Sequence, residues 1–168
     1  METQQSTAVN NTLISQAQLL DHWQGHRNLT RKLIEAYPEE QMFTYAIGGM
    51  RTFAELVMEI MDLTTGIEGM ATGKWKTMDE MSHVNGHKPA TKAEVLQRWD
   101  NMTAEINKFW GMIAPEKFQD TVMAFGAYEG TVYSTILYII DNEIHHRAQA
   151  YVYLRSLGIT PPPFWDRN

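Results

Sequence analysis

From Thr131 to Arg155 no glycine or proline interrupts the chain, and apolar residues recur at helical spacing on two sides of that segment. One side carries Val132, Ile139, Ala150 and Tyr153. The other carries Tyr133, Leu137, Ile140, Ile144 and Tyr151. A helix that is apolar nearly all round is either central in its bundle or shared with a partner subunit. Gly158 and Pro161–Pro163 follow as stop signals.

Three earlier segments supply helices to surround it. Leu13, Leu20, Trp23, Arg27 and Ile34, with Gln16 and Thr30 in the same stripe, predict a first helix that ends at Pro38. Thr52 and Glu55 form a capping box ahead of the face Phe53, Leu56, Ile60, Leu63 and Ile67. Gly66, Gly69 and Gly73 weaken that second helix toward its end. A second box, Thr91 with Glu94, precedes Val95, Trp99, Met102, Ile106, Phe109 and Ile113, a regular packing seam. The connection from Gly69 to Ala90 is long, as is the one reaching Gly130, whose Phe118–Tyr128 portion is expected to be partly extended. The expectation is an all-α four-helix bundle with two long connections. Residues 1–11 read as a flexible N-terminal tail and 12–168 as a single domain, a size that folds without metal or disulfide.

Several functions are set aside by composition. There is no cysteine, so no thiolate ligand or nucleophile. The net charge is −6 and only Arg31 and Lys32 adjoin, which argues against nucleic acid as a partner. No apolar run spans a bilayer and the N-terminus lacks a signal-peptide pattern, so a cytoplasmic location without membrane contact is expected. Neither a phosphate loop nor a nucleophile elbow is present.

Chemistry concentrates in Asp141–Gln149. Asn142, His146 and Gln149 share the face of Ile139 and Tyr153, whereas His145 lies about 100° round the helix. Polar groups directed into a bundle need partners. The segment is therefore a metal or substrate site, or it holds a hydrogen-bonded core histidine or one facing a subunit interface. His22 and His26, spaced i and i+4, read as flank residues in a solvated or packing role. His83 and His87 read as surface-loop histidines, and Trp99, Phe109 and Trp110 as core.

The last helix and its exit, DNEIHHRAQAYVYLRSLGITPPPF, resemble the C-terminal signature of the DinB/YfiT-like family, and Met50–Glu59 resembles that family's second helix. The resemblance implies a four-helix bundle holding nickel, zinc or a similar divalent ion on three histidines, one from the second helix and two from the last. It also implies hydrolase or thiol-transferase chemistry on a small molecule. Those three positions are Glu59, Asn142 and His146 here, with His145 as a substitute ligand, and Ala148 stands where the family has glycine. Asn142, Arg147 and Gln149 are the residues expected to contact a bound ligand, Arg147 by assisting an anionic group. Glu59 has a second reading, as a carboxylate that pairs with Arg147 or accepts from His146. The rival function is a non-catalytic, dimerising or ligand-binding bundle with a decayed metal site. Two apolar faces on one helix predict a two-fold homodimer, the commonest closed assembly. Light scattering at tens of micromolar should give twice the chain mass, and a monomer there would overturn the expectation.

Overall fold

The computed structural model describes residues 13–168, and the tail expected at 1–11 lies outside the described residues. Helix α1 (Gln16–Ala36) starts three residues later than Leu13, which is 99% exposed. Its start is set by Ser15, whose hydroxyl accepts from the Gln18 amide while the Gln18 side chain returns to the Ser15 amide. Leu19 is in the core with Leu20 half-buried beside it, followed by Trp23, Arg27, Thr30 and Ile34. Tyr37, immediately before Pro38, takes extended backbone and ends the helix. Pro38 then caps a short helix α2 (Glu39–Thr44), favoured by the acidic pair Glu39 and Glu40 in its first turn.

Thr52 opens α3 (Phe53–Thr64) with both halves of its capping box formed. The chain turns at Thr65 into α4 (Gly66–Thr72), so the second predicted helix is two helices end to end. The glycines there serve close approach. A Cβ on Gly69 would lie 2.3 Å from the Trp75 indole, and one on Gly66 would lie 3.0 Å from the Phe125 ring. A short α5 (Ser82–Asn85) follows. In α6 (Lys92–Trp110) the Thr91 hydroxyl accepts from the Glu94 amide as expected, but the Glu94 carboxylate accepts from the Ala90 amide, one residue outside a true capping box. A hairpin, β1 (Thr121–Ala124) paired antiparallel with β2 (Tyr128–Thr131), forms most of the extended portion of the long connection and leads directly into α7 (Val132–Ser156).

The four long helices form a square in which α1 and α3 each pack against both α6 and α7. Two apolar clusters fill it. One surrounds Tyr37, Phe53, Trp99 and Tyr153; the other surrounds Trp23, Ile67, Trp110 and Ile139. A polar layer separates them. Glu143 is 0% exposed and accepts from the Thr30 hydroxyl at 2.6 Å. Arg27 and Arg147 each place a guanidinium nitrogen 3.7 Å from its carboxylate. Arg27 also donates to the Trp99 carbonyl and the Thr103 hydroxyl, and its guanidinium lies 3.3 Å over the Trp99 ring. Burial pushes Arg27 down to about 10, a shift the neighbouring Glu143 opposes.

The buried surface of α7 is one broad face running through Val132, Ile136, Ile139, Glu143, Ala150 and Tyr153. Glu143 sits within it, beside the stripe Val132, Ile139, Ala150 and Tyr153 expected from sequence. On the second apolar side Ile140 is buried, Tyr133, Leu137 and Tyr151 are half-buried, and Ile144 is exposed. Removing one partner of a buried ion pair leaves the others desolvated and unpaired. Glu143→Ala should therefore lower unfolding stability by about 3–5 kcal/mol, read as a fall in denaturation midpoint. A loss below about 1 kcal/mol would mean that the two arginines do not depend on it.

Candidate functional site

Helix α3 presents Glu59 at the edge of its buried face, where α7 brings Asn142, His146 and Gln149 at intervals of four and three residues. Glu59 Oε1 lies 3.0 Å from His146 Nε2 and accepts from Asn142 Nδ2 at 3.1 Å. Glu59 Oε2 pairs with Arg51 Nη2 at 2.5 Å. The His146 hydrogen bond and the Arg51 guanidinium hold the Glu59 carboxyl well below the usual carboxylate range against the opposing effect of burial. Behind the ring, His146 Nδ1 sits 2.9 Å from Gln149 Oε1, and the Gln149 amide nitrogen is 3.2 Å from His145 Nε2. Glu59, Asn142 and His146 therefore come together at one point, with Gln149 orienting the imidazole. His145 is exposed, bonds Gln149 and packs edge-on against the His146 ring, and makes no hydrogen bond to Glu59.

Arg147 is elsewhere. The 100° step from His146 carries it to the α1 side of α7, where it is buried and donates to the Thr30 hydroxyl and the His26 carbonyl. The expected contact between Arg147 and a ligand beside Glu59 is thus replaced by a place in the polar layer, and Glu59 pairs with Arg51 instead. Of the two roles expected for His26, solvated or packing, it takes the buried one, and its Nδ1 accepts from Arg147 at 2.8 Å. Burial first, then Arg147, pushes its pKa down to about 3, so the ring stays neutral at neutral pH.

The donor set around Glu59 does not fit the implied transition ion. Among the described residues no group of three or more His, Cys, Asp or Glu side chains could hold a metal. Only Glu59 and His146 are suitable ligands, a neutral amide is a weak third, and the Arg51 cation already occupies the carboxylate. Among the described residues no donor meets the buried Asn142 Oδ1, while its nitrogen donates to Glu59.

A cleft of about 440 Å³ opens beside this cluster, between α3, α7, the hairpin and the loop carrying α5. Glu59 forms one end, Leu63, Phe125 and Thr135 line its wall, and His83 and Tyr138 face it from opposite sides of the chain. His83 was read as a surface-loop residue. Only 13% of its side chain is exposed, and its Nδ1 lies 2.7 Å from the buried Asp62 carboxylate. His87, in contrast, is exposed. Sequence reasoning missed Arg51, Asp62 and Glu143 altogether. Glu143 was visible as the residue four after Ile139 and seven before Ala150, in the middle of a packing seam. Arg51 and the Asp62–His83 contact depend on loop paths that no periodicity records.

The DinB family model matches residues 4–167. No curated protein matches the chain. Among solved structures, a DinB-like protein from Bacillus cereus ATCC 10987 is similar with a TM-score of 0.72 and 16% identity, over 88% of this chain and 95% of that one. A DinB-like protein from Bacillus subtilis gives 0.68 and 21%, over 89% and 97%. At such identities the structural likeness speaks for the fold, and it agrees with the square of four helices described above. Since the family model spans nearly every residue, the chain belongs to the DinB family.

Proposed function

We propose that this DinB-family chain binds a small molecule in the cleft beside Glu59 and does so without a transition ion. The observation that carries this reading is the cleft itself. Its volume of about 440 Å³ falls in the range of ligand pockets, and its wall mixes apolar side chains with a few convergent polar ones. Glu59, buttressed by His146, Asn142 and Arg51, is a rigid acceptor at its end. Hydrolase or thiol-transferase chemistry on nickel or zinc is the weaker reading, because Glu59 and His146 alone supply suitable donors. Pairing of two chains remains part of the proposal, supported by Tyr138, Ile144 and Val152, which α7 leaves exposed.

Two measurements test it. The neutral dye Nile red should bind wild-type protein with one-to-one stoichiometry and gain fluorescence. Ser134→Trp, which fills the cleft from an exposed helical position, should abolish that gain while leaving the melting temperature nearly unchanged. Equal dye binding by both proteins would overturn the cleft as the site. Calorimetry addresses the metal. Wild type should take up zinc or nickel weakly, whereas Glu59→His with Asn142→His places three imidazoles at one point and should bind at least about tenfold more tightly with proton release. Tight binding by wild type would reverse the reading against the ion.

A further inference from the structure

Asp62 lies one turn beyond Glu59 on α3 and is buried, and both of its oxygens hold the start of α5. Oδ1 accepts from the Ser82 hydroxyl at 2.6 Å. Oδ2 accepts from the His83 backbone amide at 2.6 Å and faces His83 Nδ1 at 2.7 Å. An ionised carboxylate only accepts, so Nδ1 carries the ring proton and donates it to Asp62. In the neutral imidazole that fixes the tautomer and leaves the lone pair on Nε2. His83 lines the cleft, and among the described residues no protein group bonds its Nε2. A carboxylate-oriented imidazole with its basic nitrogen free, beside a cavity of ligand size, is the arrangement a general base requires.

We propose that His83 is the general base of a metal-independent hydrolytic site in this cleft, with Asp62 as its positioning residue and small uncharged acyl esters as the substrate class. The proposal rests on the cleft being the binding site. The charge of the lining selects the class. Of the two carboxylates in the lining, Glu59 is paired with Arg51 and Glu129 has no ion-pair partner among the described residues; no lysine or arginine lines the cleft, so nothing there recruits an anionic ester. Leu63 and Phe125 offer apolar surface to an acyl or aryl group. Tyr128 and Tyr138 also line the cleft and are the side chains there that carry a phenolic donor suited to an ester carbonyl. In the reaction, Nε2 accepts a proton from water as the water oxygen bonds to the acyl carbon. The tetrahedral species then expels the alkoxide or phenolate, and the proton passes from Nε2 to the leaving group or to solvent. Ester and water become acid and alcohol, with no change of oxidation state.

The competing account is that Asp62 merely anchors α5 and the imidazole is a passenger. The two accounts separate with p-nitrophenyl butyrate as probe, full-length protein, and EDTA present throughout. Wild type should release p-nitrophenolate above the buffer rate. His83→Gln should lose about 10²-fold in kcat with KM within about twofold. Asp62→Asn should lower kcat similarly, and ¹⁵N spectra should show the His83 ring leaving the Nδ1–H form seen in wild type. Nile red binding to His83→Gln provides the control. If that variant binds dye and cleaves the ester as fast as wild type, or if wild type binds dye without cleaving the ester, the dyad proposal is overturned while the cleft stands. If wild type fails to bind dye, both fall. If Asp62→Asn lowers melting temperature yet keeps both kcat and the ring tautomer, the positioning role of Asp62 is overturned.

Discussion

The carboxylate of Glu143, held between Arg27 and Arg147 at the centre of the bundle, is the contact to which the other elements are fitted. No helix could deliver this ion cluster alone. Arg27 and Thr30 come from α1, the Trp99 carbonyl and Thr103 hydroxyl from α6, and Glu143 and Arg147 from α7. Desolvating three charges is expensive, and much of that cost is recovered only when all partners are in place. A slip of α7 by one turn would set Glu143 against apolar side chains of either cluster. The layer thus fixes the axial register of three helices, which apolar packing alone specifies poorly.

The same layer decides what the neighbouring edge can do. With Glu143 pointing to the bundle axis, Arg147 is turned toward α1, and Asn142 and His146 are turned toward α3. His146 therefore meets Glu59, and Arg51 supplies the cation that pairs with that carboxylate. Where three imidazoles would leave an open lone-pair surface for a cation, this chain builds a closed ion-pair cluster. The other polar side chains beside the cleft come from His83, from the hairpin and from the start of α7.

The bundle was legible because helix caps and packing seams are local signals. Thr52 with Glu55, and the run from Val95 to Ile113, mark elements through pairs of residues only three or four positions apart. The direction of the last helix was legible only in part. An apolar stripe and an ionic centre compete on a wheel, and Glu143, the most buried charge, reads as solvent-facing by composition alone. The meeting of Glu59 with His146 followed from the family resemblance rather than from spacing, since 87 residues separate them. His83 was illegible for a related reason. Its environment is made by Asp62, reached through a loop whose path is set by Gly69 yielding to Trp75.

That last contact has an optical consequence. Of the five tryptophans, Trp23, Trp99 and Trp110 are sealed in the two core clusters, and Trp165 is exposed near the C-terminus. Trp75 alone stands next to the cleft, edge-on to Phe125 at 5.6 Å between ring centroids. Any occupant that displaces water from the Phe125 side changes the polarity and rigidity around one half-buried indole and around no other. The chain carries its own fluorophore, seated one aromatic ring behind the wall of the cleft.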